Sequence, residues 1–291
     1  MQRKKLLSII CILAAVVVIL VLIARRAGAG NEPEETAVAG TAAGIRYLET
    51  LEAGDPAEVD QKLQEFRIQK FQEKRNEWLH QIETGELNVW SMFEDYALLG
   101  DSRSVGFTFW GFLPDERVMA ESGAKLYALR DHIPDLQKLH PTSIYLCYGL
   151  NDVIIGYWPE PSDYVADYRE ILGELREALP DATFYVNSIL PAIDPAFEEW
   201  PGLVRIPEYT AAVKEMCTQI DNCYYVDNDW LFEEHQDLWA PDGIHFAAAF
   251  YPYWAANMIL ETYNSQLISD GDEPQMPPMA PEDSSEEALE P

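Results

Sequence analysis

Between residues 96 and 263, five short apolar runs alternate with stretches of helical pattern, and that alternation constrains the fold more than any other feature of the chain. The runs are Tyr96–Leu99, Arg117–Ala120, Ser143–Tyr148, Thr183–Ile189 and Cys223–Val226. Helical spacing fills the gaps most clearly over Lys125–Leu139, Ser162–Leu179 and Pro207–Ile220, and returns over Ala247–Tyr263. Strands that are apolar on both sides must be buried on both faces, which predicts a parallel sheet with helices covering each side. The predicted class is therefore α/β, with residues 90–269 as its domain. No internal repeat is apparent.

The flanking segments are of a different character. Leu6–Ala24 is uncharged and almost wholly apolar, and lies between Arg3-Lys4-Lys5 and Arg25-Arg26. As a helix this run would rise about 28 Å, close to the thickness of a bilayer core. Ala27-Gly28-Ala29 resembles a signal cleavage site, but the apolar run exceeds the roughly 7–15 residues of a signal-peptide core. Residues 1–26 are read as an uncleaved single-pass anchor in the cell membrane, with the amino terminus inside and the domain extracytoplasmic. Residues 27–54 read as a linker. Within 55–89, Asp55-Pro56-Ala57-Glu58 supplies a cap, a first-turn proline and an acid, predicting a helix that acts as stalk or as cover. Its mixed charge points to the solvated stalk. Residues 270–291 are acidic and proline-rich, and are expected to be disordered.

Charge removes one class of partner. The chain has 20 Lys+Arg against 50 Asp+Glu, a formal net charge of −30. Such a chain repels polyanions, so no nucleic-acid partner is expected. The cysteines, Cys11, Cys147, Cys217 and Cys223, form no Cys-x-x-Cys pair and no zinc spacing. His80, His132, His140 and His235 form no His-Glu-x-x-His, so neither metal nor cofactor is expected. Cys217 and Cys223 flank a helix-to-strand turn, where a disulfide is open outside the cytoplasm.

Four polar segments fall after predicted strands or ahead of helices: Gly100-Asp101-Ser102, Glu121-Ser122-Gly123, Gly149-Leu150-Asn151-Asp152 and Asp242-Gly243-Ile244-His245. Each alone is an ordinary turn or helix cap. In this order they resemble the sequence blocks of the SGNH (GDSL-type) hydrolase family. The first, third and fourth match in full, Gly123 matches by position, and the likeness spans residues 96 to about 263. The resemblance implies a flavodoxin-like three-layer α/β/α sandwich with about five parallel strands, here preceded by a transmembrane helix and a stalk helix. It also implies a serine carboxylic-ester hydrolase. In that reading Ser102 is the nucleophile, and it needs a base to activate it. His245 is that base, and Asp242 orients and stabilises its ring. The N–H groups of Ser102 and Gly123 and the side-chain amide of Asn151 form the oxyanion hole. Asp101 is expected to be a structural hydrogen-bonder. Arg103 is expected to hold a substrate oxygen or an acidic neighbour.

The expected activity is that of a membrane-anchored extracytoplasmic serine esterase. It would hydrolyse a small acyl group, acetyl in the first instance, from a small ester or an acylated carbohydrate, with residues 6–24 in the membrane. Tyr157, Trp158, Phe197, Trp200 and Trp239 lie near the strand ends and could stack on sugar rings; core packing is their ordinary role. Two other readings remain open, an O-acyltransferase acting on sugar hydroxyls and a non-catalytic surface module.

Overall fold

The computed structural model describes residues 56–270. The apolar run Leu6–Ala24, Cys11, the linker through residue 54 and the acidic tail from residue 271 lie outside the described residues. Among the described residues no helix is long and apolar enough to cross a membrane. Five strands form one parallel sheet: β1 Tyr96–Gly100, β2 Val118–Ala120, β3 Ser143–Cys147, β4 Thr183–Asn187 and β5 Cys223–Val226. Their order is β2-β1-β3-β4-β5, with every neighbouring pair parallel. The chain leaves β1 toward β2 on one side and crosses to β3 on the other. Where the winding reverses, between β1 and β3, open α/β sheets leave a crevice at the carboxyl ends of their strands.

The helices are α1 Pro56–Glu83, α2 Ser102–Phe109, α3 Leu129–Leu139, α4 Leu150–Ile155, α5 Pro161–Ala178, α6 Ile206–Cys217, α7 Asp229–Glu234 and α8 Tyr251–Asp270. The last begins four residues later than the pattern suggested, because Ala248–Phe250 first makes a 3-10 turn. Alternation along the strands sends side chains to two cores. Ala97, Leu99, Ile144, Leu146, Phe184 and Val186 meet α3, α5 and α6 on one face. Tyr96, Leu98, Tyr145, Cys147 and Tyr185 meet α2 and α8 on the other. That second core is aromatic: Tyr145 stacks on Tyr185 at 5.2 Å and Tyr185 on Tyr224 at 5.9 Å, following the strand register.

The chain divides into two compact units, residues 1–67 and 68–291, and α1 runs through the boundary. In the first unit the described side chains of α1, such as Gln61 and Lys62, are exposed. In the second unit α1 packs. Trp78 is buried, meeting Tyr263 edge-on at 5.6 Å, and Arg75 lies 4.5 Å over the Trp230 ring. From Phe71 onward this helix is a cover on the aromatic core, not the solvated stalk that its mixed charge suggested. Cys217 and Cys223 are buried free thiols. Their mutual hydrogen bond, and then burial, push the Cys217 thiol up.

Candidate active site

Gly100, Ala120 and Cys147 occupy one row across β2, β1 and β3. The turns bearing Ser102, Gly123 and Asn151 therefore leave the sheet at the same level. Gly100 must be glycine: a Cβ there would sit 2.1 Å from Ser104 Oγ and 2.8 Å from the Cys147 carbonyl. The chain then turns at Asp101, which is the N-cap of α2 and accepts a 3.0 Å hydrogen bond from Arg103 N–H. Burial pushes the Asp101 carboxyl up, partly offset by the nearby Arg103 guanidinium. Asp101 is thus the buried cap expected of it. Ser102 opens the helix, where first-turn N–H groups lack helical partners.

His245 arrives from the other side of the sheet. The loop ahead of it is closed by Ala240 N–H to His245 O at 2.8 Å and by a Trp239–Phe246 bridge. Asp242 curls beneath the ring. Its Oδ1 accepts the N–H groups of Ile244 and His245, each at 2.9 Å, and its Oδ2 lies 2.6 Å from His245 Nδ1. Burial alone would raise this carboxyl, but the hydrogen bonds from the ring and the two N–H groups outweigh it and hold it at about 2. An ionised Asp242 keeps the ring proton on Nδ1, leaving Nε2 as an acceptor. Nε2 lies 2.9 Å from Ser102 Oγ, across 143 positions of sequence.

The remaining predicted residues form a second cluster. Gly149 has φ of +127°, and a Cβ there would lie 2.5 Å from Ile189, so this turn also requires glycine. It leads into α4, where Asn151 Nδ2 donates to Ala124 O at 2.9 Å. The adjacent Asp152 accepts Leu126 N–H at 3.0 Å. These two bonds hold the Gly123 turn against α4. Gly123 is left-handed at φ +79°, and its Cα faces open space. With one N–H engaged by Ala124, Asn151 retains a second donor.

Arg103 departs from expectation. It is 2% exposed and makes no ion pair among the described residues. Its guanidinium donates to three backbone carbonyls: Ile244 at 2.8 Å from Nε, Pro191 at 2.6 Å, and Leu190. It is held inside and cannot reach a substrate oxygen. Of the five aromatics expected at the rim, Tyr157 and Trp200 are exposed, Trp158 is buried, Phe197 is half-buried, and Trp239 packs on Phe246 and Phe232. Sequence reading placed Asp152 in the third segment but gave it no role, which its bond to Leu126 N–H supplies. No cluster of metal-ligating side chains occurs among the described residues.

The family model for GDSL-like lipases and acylhydrolases matches residues 98–252, just over half of the chain. The chain belongs to this GDSL-like lipase/acylhydrolase family. It is accordingly a serine ester hydrolase, and the matched segment contains all four motif segments. No curated protein matches it. Solved structures similar to it include a carbohydrate esterase family 3 protein from Talaromyces cellulolyticus, 20% identical over 61% of this chain and 99% of that one, TM-score 0.47. An acetyl xylan esterase from Geobacillus stearothermophilus is 20% identical over 58% and 94%, TM-score 0.45. A GDSL-like lipase from Bacteroides thetaiotaomicron is 15% identical over 65% and 97%, TM-score 0.45.

Proposed function

We propose that this family member removes a short acyl group, acetyl in the first instance, from a carbohydrate ester outside the cytoplasm. Its working parts are Ser102, His245 and Asp242. One observation carries the chemistry: the unbroken chain from Ser102 Oγ through both His245 nitrogens to Asp242, at 2.9 and 2.6 Å. His245 takes the Ser102 proton as Oγ attacks the carbonyl, and returns it to the departing alcohol. Water then attacks the acyl-enzyme with the same base. The N–H groups of Ser102 and Gly123 and the free N–H of Asn151 bind the oxyanion.

The carbohydrate part rests on the exposed Tyr157 and Trp200 and the location on Leu6–Ala24. The test is a series of aryl esters from acetate to decanoate with the detergent-solubilised full chain, followed by acetylated oligosaccharides. The acetate should react fastest, and Ser102→Ala should abolish the rate. An undiminished rate in Ser102→Ala refutes the mechanism, a preference for decanoate refutes the short-chain assignment, and acylated sugar accumulating in place of free acid indicates transfer. Fractionation of cells tests the location: intact chain extracted only by detergent supports the anchor, and a shortened soluble form opposes it.

A further inference from the structure

Arg103 follows the nucleophile directly, yet its side chain is spent entirely on backbone. The guanidinium gathers Ile244 O from the histidine loop and the Leu190 and Pro191 carbonyls from the exit of β4, which lie 141, 87 and 88 positions away. Ile244 is the residue before His245. The Phe246 ring lies 5.5 Å from the same cation. The backbone of Arg103 is pinned as well, its carbonyl accepting 2.9 Å from the Tyr251 hydroxyl at the start of α8.

Packing alone does not call for a cation here. A buried charge is costly unless its partners compensate it. This one has no carboxylate in ion-pair contact among the described residues, only the longer-range attraction of Asp101 and Asp242. What the guanidinium offers is a rigid plane of donors that meets several carbonyls at fixed angles. A lysine ammonium keeps the charge but lacks that plane.

We propose that Arg103 is a positioning residue, whose guanidinium holds the Asp242–His245 loop at the distance that lets His245 reach Ser102. The proposal rests on the nucleophile and base assigned above. Misplacing a catalytic group by about 1 Å can cost on the order of 10²-fold. A cation that serves only stability would instead leave each folded molecule fully active.

The experiment uses the full-length protein in detergent, with Arg103→Lys and Arg103→Met assayed on an aryl acetate beside wild type and Ser102→Ala. Folded fraction is measured by near-ultraviolet circular dichroism, and Ser102 reactivity by the rate of labelling with a fluorophosphonate. Per folded molecule, kcat and labelling rate should both fall about 10²-fold in either variant, with KM within about threefold. Arg103→Ala supplies a second readout: added methylguanidinium should restore kcat at constant folded fraction, and methylammonium should not. Full kcat per folded molecule in Arg103→Lys or Arg103→Met overturns the proposal. So does unfolding of both, which would assign Arg103 to the fold rather than the site. Activity surviving in Ser102→Ala overturns the underlying assignment instead, and the two failures are thereby told apart.

Discussion

The site has two halves that are built by different means. The half holding Gly123 and Asn151 is set by the sheet: Gly100, Ala120 and Cys147 share one row, and short bonds from Asn151 to Ala124 and from Leu126 to Asp152 join the turns that follow. The half holding Ser102, Asp242 and His245 shares that row only at Ser102, which follows Gly100, and the Asp242–His245 loop lies off it. Its closing contact joins two side chains 143 positions apart, one of them on a loop held by Arg103. Register is enforced by every hydrogen bond of a ladder, so geometry derived from it should tolerate local change. A side-chain chain of contacts has no redundancy and fails at any link.

The largest effects should therefore fall in the side-chain half. Ser102→Ala and His245→Ala are each expected to lower kcat on the order of 10⁶-fold, and the double variant should be hardly worse, since the residues act as a unit. Steady-state hydrolysis of an aryl acetate measures this. Additive losses in the double variant would break the link between the two residues. Asp242→Asn comes next, at about 10⁴-fold. The amide cannot hold Nδ1–H as the carboxylate does, while the Ile244 and His245 N–H bonds to Oδ1 can persist. With Asp242 held at about 2, its contribution to stability is present above the unfolded carboxyl value and is lost as pH falls through about 2. Wild-type activity should thus show no loss through Asp242 down to about pH 4.

In the register-set half, Asn151→Ala should cost on the order of 10²–10³-fold, because the Ser102 and Gly123 N–H groups would remain. It also removes the bond to Ala124. A loss as large as that of His245→Ala would erase the distinction between the halves.

How much was legible follows the same division. β1, β3 and β4 stood out because double-sided burial writes a nearly unbroken apolar run. The motif segments were visible because each is a short local pattern. The burial of Arg103 was not visible: between Ser102 and Ser104 a cation looks like surface, and the carbonyls that enclose it come from Leu190, Pro191 and Ile244. The packing of α1 was hidden for a related reason. Its charges are mixed all round, and the packed stripe through Phe71, Arg75, Trp78 and Ile82 itself carries a cation, so the apolar pattern along it is faint. Gly123 lacked any motif of its own, and only the row from Gly100 to Ala120 places it.

The smallest effect on rate, and the sharpest test of the register-set half, is Asp152→Asn. Asp152 is buried, and its Oδ2 has no hydrogen-bond partner. Burial raises its carboxyl to about 7, with Leu126 N–H opposing and the nearby Asp101 adding to the rise. A carboxyl raised in the folded state contributes stability below its unfolded value of about 3.9, and that contribution is lost as pH rises through about 7. Asparagine keeps an Oδ1 for Leu126 N–H and has no proton to lose. The variant should therefore melt about a few °C above wild type at pH 8.5, with the gap narrowing toward pH 5. If register rather than this side chain sets the oxyanion donors, kcat should stay within about threefold. A loss beyond about tenfold, at unchanged folded fraction, would mean that the Gly123 and Asn151 half depends on a single side chain as the His245 half does.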